Sequence, residues 1–322
     1  MKPRILVTRR WPEAVEARFS ERFDVVLNSD DRPLGTDGLR QAMAEFDAIM
    51  PTVTDRFDAG VFSDPAPKVR LIANYGVGFS HIDTEAAKSR GIVVTNTPDV
   101  LSECTADLAM MLMLMVARRA GEGERELREG RWTGWRPTHL VGARVSGAVL
   151  GIIGFGRIGQ ALAERARFGF GMEVIVQNRS PVAPDTLARF GARQVGDVEE
   201  LLHEADFVSL HCPGGAANRH LIDGARLAVM KPGAFLINTA RGEVVDEAAL
   251  AAALVAGRIG GAGLDVYEQE PRITPALLDA PNLVMLPHLG SATRQTREAM
   301  GLRAFENVMD FFGGRPPRDR VV

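Results

Sequence analysis

Apolar residues fall in short runs, many only three to five long, separated by polar stretches whose apolar positions recur at helical spacing. This alternation predicts parallel α/β architecture, because each short buried strand needs a crossover helix before the next. A first series of strands is expected near Ile5–Thr8, Val25–Leu27, Ala48–Met50, Leu71–Ala73 and Ile92–Val94. A second is expected at Val149–Ile153, Glu173–Gln177, Phe207–Leu210, Phe235–Asn238, Gly263–Asp265 and Val284–Leu286. Between them, "SECTADLAMMLMLMVARR" (Ser102 to Arg119) reads as a helix with Ser102 as N-cap. Its methionines (Met110, Met111, Met113, Met115) read as adaptable core filler rather than as a ligand surface.

The second series starts late and ends before a last helical stretch, roughly Ser291 to Gly313. That stretch is therefore expected to return to the first series. The result is two doubly wound parallel-sheet domains, one inserted into the other, with a cleft between: 1–100 plus 290–322, and 101–289. No internal repeat or low-complexity segment interrupts the pattern.

Composition narrows the function classes. The chain has 322 residues, 46% hydrophobic and 25% charged, and a net charge of −3, which argues against general binding to nucleic acid or membrane. Cys104 and Cys212 stand far apart and without metal-ligand spacing, so reduced thiols and no metal are expected. The longest apolar run, Leu108 to Ala117, is ten residues, short of a membrane span. The apolar stretch at Ile5 to Val7 is not a secretory leader, so a cytoplasmic protein is expected.

Chemistry enters with "LGIIGFGRIGQ", Leu150 to Gln160. Gly154, Gly156 and Gly159 form G-x-G-x-x-G, which carries weight here because it follows a strand and opens a helix. In such a loop the first glycine makes the turn, the second admits a pyrophosphate and the third lets helix and sheet pack closely. Phe155 lies within this loop, and the amides of Arg157 and Ile158 are expected to face the phosphates. The next strand leads into "VIVQNRSP", where an NAD-binding fold would place an acid on the ribose. Asn178, Arg179 and Ser180 stand there instead. They cannot repel a 2′-phosphate, and Arg179 can pair with one, so NADP is the preferred expectation, with NAD use open. All but four of the 38 basic residues are arginine, which weakens what any single arginine says.

Three later stretches bring side chains to strand ends. "INTARGEVVDEAAL" places Arg241 there, "GAGLDVYEQEP" places Glu270 and "LVMLPHLGSAT" places His288. Ligands of open parallel sheets sit at those carboxyl ends. Reducing a 2-oxo acid needs a cation for carboxylate and carbonyl, which Arg241 supplies, and a proton donor, which His288 supplies. Glu270 would orient the imidazole and favour its charged form. His81, His139, His203, His211 and His220 show no partner pattern and are expected to be structural.

"GFGRIG", "NTARGEVVDEAAL", "GAGLDVYEQEP" and "LPHLGSAT", in this order, resemble the D-isomer-specific 2-hydroxyacid dehydrogenase family across essentially the whole chain. The resemblance implies a flavodoxin-like substrate domain and a Rossmann cofactor domain. It implies hydride transfer to a 2-oxo carbon and an Arg–Glu–His set at Arg241, Glu270 and His288. It further implies that the amides of Val77 and Gly78 receive the substrate carboxylate, with Val53 lining the pocket. Thr105, Cys212, Pro213, Thr239, Ala240, Asp265 and Gly290 match cofactor-contacting positions, with Asp265 at the carboxamide end of the nicotinamide. Within the family, "VQNRSPV" and "GRWTGWRPTHLVG" are most similar to glyoxylate/hydroxypyruvate reductases, implying a small substrate and a homodimer built on the cofactor domains. His139 stands where those enzymes often carry an aromatic residue that reaches the partner's active site, with Trp132 and Trp135 nearby. An NAD-dependent dehydrogenase of other substrate range remains an alternative, as does a dinucleotide-sensing corepressor.

Overall fold

The computed structural model describes residues 2–64 and 66–322. Its chain divides into two compact units, one running up to Leu101 and resuming at Ser291–Val322, the other spanning Ser102–Gly290.

In the first unit the strands are β1 (Arg4–Val7), β2 (Asp24–Leu27), β3 (Ala48–Met50), β4 (Leu71–Ala73) and β5 (Val93–Thr95). All pair in parallel in the order β2-β1-β3-β4-β5, the flavodoxin-like arrangement. β3 and β4 are buried along their whole length, which is why they read as unbroken apolar runs. The closing helix, Arg294–Phe312, packs on the helix Glu13–Arg22. Phe19 meets Phe305 edge-to-face at 4.9 Å. Gly301 makes this possible, since a Cβ there would lie 2.7 Å from Val15. Past that helix the chain returns to β5: Val321 N–H donates to Val94 O at 2.7 Å. Arg303 grips Asp319 through two bonds of 2.6 and 2.7 Å, so the edge of the sheet is covered rather than left open.

Seven strands form the second unit: β6 (Val149–Ile153), β7 (Glu173–Gln177), β8 (Ala192–Gln194), β9 (Phe207–Leu210), β10 (Phe235–Asn238), β11 (Gly261–Leu264) and β12 (Leu283–Met285). Their order is β12-β11-β10-β9-β6-β7-β8, all parallel, which is the Rossmann order with one further strand. Eleven of the twelve strands lie within two residues of the expected positions. The twelfth, β8, was not expected: "ARQ" has no apolar alternation and forms an exposed edge. The helix Ser102–Ala117 lies on β10 and β11. Glycines in β11 admit it, because Cβ atoms on Gly261 and Gly263 would come within 2.6 Å of Val116 and 3.0 Å of Leu112. Met110 and Met113 are buried on this face, whereas Met111 points away at 38% exposure, so the filler reading of the methionines holds for one face only. Among the described residues no helix is long and apolar enough to cross a membrane.

Candidate active site

Strand order reverses between β6 and β9, and a crevice for a ligand opens outside the carboxyl ends of strands at such a switch point. The glycine loop sits there, and each glycine has its own steric reason. Gly154 takes φ +94°, and a Cβ on it would lie 2.6 Å from the Cys212 amide nitrogen. Gly159 would place its Cβ 2.5 Å from Gly154 O, so the helix Arg157–Glu164 can seat on the turn only without a side chain. Around a Cβ on Gly156, by contrast, there is nothing within 4 Å. That open face beside a helix N-terminus fits a pyrophosphate. Two buried polar atoms without partners border the same rim, His211 Nδ1 after β9 and Thr239 Oγ1 after β10. Burial of the His211 ring pushes its pKa down to about 4, so it is neutral. Its Nε2 pairs with Ser209 Oγ at 2.9 Å. Open cradle and orphaned polar atoms together fit a bound dinucleotide.

After β7 the Asn178 carboxamide is committed within its own turn. It accepts from Phe155 N–H at 3.2 Å and donates to Ser180 O at 2.9 Å, tying this turn to the glycine loop. Gln194, on the unexpected strand β8, accepts from Val182 N–H at 2.8 Å and braces the carbonyls of Asn178 and Ser180. Arg179 and Ser180 are exposed, and among the described residues the Arg179 guanidinium has no partner.

The candidate reacting groups follow the ends of β10, β11 and β12. Asn238, 1% exposed, shapes the turn after β10 by accepting from Ala240 N–H at 3.0 Å and donating to Arg241 O at 2.9 Å. Among the described residues Arg241 spends a single guanidinium donor, to Ala240 O at 2.6 Å. Burial lowers its pKa against the opposing pull of Glu270 and Glu243, yet it stays a cation with donors to spare. Gly242 follows because nothing larger fits: a Cβ there would sit 1.8 Å from the carbonyl carbon of Tyr267. The Arg241 turn thus rests directly on the backbone that leads to Glu270.

Glu270 Oε1 accepts from Tyr267 N–H at 2.9 Å, and Oε2 meets His288 Nδ1 at 2.8 Å. Burial alone would raise the Glu270 carboxyl. The His288 hydrogen bond and charge, the Tyr267 amide and Arg241 outweigh it and hold the group below its usual range. A carboxylate only accepts, so Nδ1 carries the hydrogen and Nε2 is left to face a ligand. His288 itself sits at φ +56°, uncommon for a residue with a side chain. Asp265 enforces it: its carboxylate, 1% exposed, accepts from Leu289 N–H at 2.6 Å and Gly290 N–H at 2.8 Å. Burial raises the Asp265 pKa, opposed by those two amides and by His288. Thr105 Oγ1 donates to Gly290 O at 3.2 Å and completes the turn. Cys212 and Pro213 lie on the segment after β9; burial pushes the Cys212 thiol up to about 11, so it is neutral.

Residues 110–290 match the family described as "D-isomer specific 2-hydroxyacid dehydrogenase, NAD binding domain". The chain belongs to that family. It is 44% identical to a glyoxylate reductase of Thermococcus litoralis, over 100% of this chain and 97% of the relative. It is 39% identical to a glycerate dehydrogenase of Hyphomicrobium methylovorum, over 97% of each. Among solved structures, it resembles an NADPH-dependent glyoxylate/hydroxypyruvate reductase of Sinorhizobium meliloti in complex with NADP and malonate. That likeness has a TM-score of 0.88 at 34% identity and covers 100% of this chain and 97% of the other. Family membership makes this chain an NAD(P)-dependent dehydrogenase, glyoxylate reductase-like, acting on 2-hydroxy and 2-oxo acids.

The remaining candidates lie elsewhere. In the first unit, Val53 follows β3 at 38% exposure, and Val77 and Gly78 follow β4. Asn96 Nδ2 donates to Val77 O at 2.8 Å and Asn74 Nδ2 to Gly78 O at 3.0 Å, so the carbonyls are pinned. Among the described residues the two amides have no acceptor. His139 pairs with Glu126 at 2.8 Å, while Trp132 and Trp135 are 51% and 82% exposed. The reading from sequence missed Asn238, Glu243 and Gln194, which hold backbone, Tyr267, whose amide holds Glu270, and Gly242, which lets the Tyr267 backbone approach. Only the glycine of the Arg-Gly pair carried a signal for this.

Proposed function

We propose that this dehydrogenase reduces small 2-oxo acids, glyoxylate and hydroxypyruvate, to D-2-hydroxy acids with NADPH preferred over NADH. One observation carries the reading: the His288 Nδ1–Glu270 Oε2 bond of 2.8 Å, on the sheet edge that also holds the glycine cradle. A bound reduced nicotinamide supplies the hydride. His288 Nε2 delivers the proton to the carbonyl oxygen as negative charge develops there, and Glu270 stabilises the imidazolium and fixes the ring. The free donors of Arg241 polarise the carbonyl and hold the carboxylate. Asp265 keeps the His288 turn in register and would hold the carboxamide end of a bound nicotinamide. Thr105, Cys212, Pro213, Thr239, Ala240 and Gly290 line the cofactor's path.

In this reading the first unit is the substrate-binding domain, with the acceptor-free amides of Val77 and Gly78 for a carboxylate and Val53 as a further lining residue. Arg179, unpaired, and Ser180 take a 2′-phosphate, while Asn178 supports them from within the turn. The exposed Trp132, Trp135, Leu127 and Val141 mark the surface of a homodimer, and a cytoplasmic location accompanies two reduced cysteines.

A steady-state panel tests the reading: glyoxylate, hydroxypyruvate, pyruvate and phenylpyruvate, each with NADPH and NADH. The two smallest hydroxy- or aldehyde-bearing acids should show the highest kcat/KM, and NADPH should exceed NADH. A higher kcat/KM on phenylpyruvate than on hydroxypyruvate would overturn the substrate assignment.

A further inference from the structure

Glu268, two residues before Glu270, has a histidine of its own. His220 Nε2 lies 3.0 Å from Glu268 Oε1, and the Arg219 guanidinium donates to the same oxygen. Both donors belong to the segment that follows β9 and begins at Cys212. That segment is also tied to the turn after Arg241. Gly215 N–H donates to Glu243 Oε1 at 2.5 Å, and His220 N–H donates to Glu243 O at 2.8 Å. Asn218 Nδ2 reaches back to Pro213 O at 2.8 Å and closes the segment on itself.

Two of its residues have positive φ: Gly215 at +101°, which glycine adopts freely, and His220 at +49°, uncommon for a residue with a side chain. Gly214 lies against the stem of Arg241: a Cβ on it would be 3.0 Å from Arg241 Cγ and 2.3 Å from Glu243 Oε1. Glu243 and Glu268 are therefore two fastenings of one segment, each within two residues of a proposed reacting group. Among the described residues the Arg241 guanidinium has a single hydrogen bond, so its direction depends on what packs along its stem.

We propose that the segment Gly214–His220 is a clamp that holds the Arg241 turn and the Glu270 loop in one geometry, with Glu243 and Glu268 as positioning residues. The proposal rests on the catalytic reading of Arg241 and Glu270 given above. It assigns the two acids no contact with substrate or cofactor. They act through the backbone and stem they fix, and an error of about 1 Å at such a place costs on the order of a hundredfold in rate.

Amide exchange by mass spectrometry on the free protein tests the clamp, with Glu243→Ala, Glu243→Gln, Glu268→Ala and Glu268→Gln. Each alanine variant should speed exchange of residues 212–220 by about tenfold or more, and should also speed the loop at the other fastening. For Glu243→Ala that loop is 267–270; for Glu268→Ala it is 241–245. Alanine variants should lose about tenfold in kcat and raise KM for glyoxylate. Glutamine keeps an acceptor oxygen, so both glutamine variants should stay within about threefold throughout. Faster exchange confined to the mutated loop, equal losses in glutamine and alanine variants, or spread exchange with unchanged kinetics would each overturn the clamp. Should an alanine variant fail to fold, His220→Asn takes its place, since asparagine tolerates left-handed backbone but cannot reach Glu268. Arg241→Ala is the separate control. If it keeps full activity the catalytic reading fails, while the exchange comparison still decides the clamp.

Discussion

Gly156→Ala adds one methyl group where the structure has room for it. The residue has φ −78°, which any residue adopts, and nothing lies within 4 Å of the added carbon. The folded chain should therefore tolerate the change. Alanine also restricts the unfolded chain, a gain of about 0.4–1 kcal/mol, or roughly 0.6–1.5 °C in thermal midpoint for a chain of this size. A dinucleotide would feel the opposite effect. Its pyrophosphate must approach the backbone closely enough to accept hydrogen bonds, and a methyl there forces retreat by about 1 Å. Losing one charge-assisted hydrogen bond costs about 1.5–3 kcal/mol, so NADPH should bind about 10- to 100-fold more weakly. Titration of NADPH by fluorescence, alongside a thermal melt, reads both effects on one preparation. Unchanged NADPH affinity together with an unchanged melt would refute the assignment of this loop as the phosphate cradle. A large drop in thermal midpoint would refute the steric reasoning itself.

Gly242→Ala should behave in the opposite way: its Cβ would lie 1.8 Å from a backbone carbon of Tyr267, so the Glu270 loop must move. Thermal midpoint and kcat/KM should both fall, the latter by about a hundredfold, and retention within fivefold in a steady-state assay would contradict the packing. Arg179→Ala should weaken NADPH use by about tenfold and leave NADH use nearly unchanged. Equal losses in KM for both cofactors would mean that Arg179 supports only the adenine end. The Glu270 carboxyl, held below its unperturbed value of 4.5, contributes stability that is complete above that value and is lost as pH falls through the folded one. The gap in thermal midpoint between wild type and Glu270→Gln should therefore be widest above pH 4.5 and narrow below it. A gap independent of pH would show that the charge of Glu270 is not what the fold favours.

The two sheets were legible because parallel strands buried on both faces must be written as short apolar runs, and "AIM", "LIA" and "VLGII" are such runs. β8 was illegible for the complementary reason. An exposed edge strand of three residues gains nothing from apolar alternation, and what stabilises it is its pairing with β7 and the brace of Gln194. In the candidate site, the placement of Arg241, Glu270 and His288 could be read because each stands just past a parallel strand, and the 2.8 Å bond between His288 and Glu270 is what the structure adds to that placement. The scaffold that aims them could not. Asn238 and Glu243 act by accepting particular backbone amides, and which amide lies within reach depends on turns that no local pattern encodes. The two bonds of the Asn178 carboxamide, accepted from Phe155 N–H and donated to Ser180 O, are likewise set by turn geometry that no local pattern encodes.

Oxidation of NADPH by the purified protein in the presence of glyoxylate, compared between wild type and His288→Ala, tests the central claim most directly. Wild type should consume NADPH and form glycolate in equal amounts. His288→Ala should bind NADPH normally yet lose about a hundredfold or more in kcat, the usual worth of a positioned general acid. Wild-type protein that binds NADPH but leaves glyoxylate unreduced, or a His288→Ala variant as fast as wild type, would contradict it.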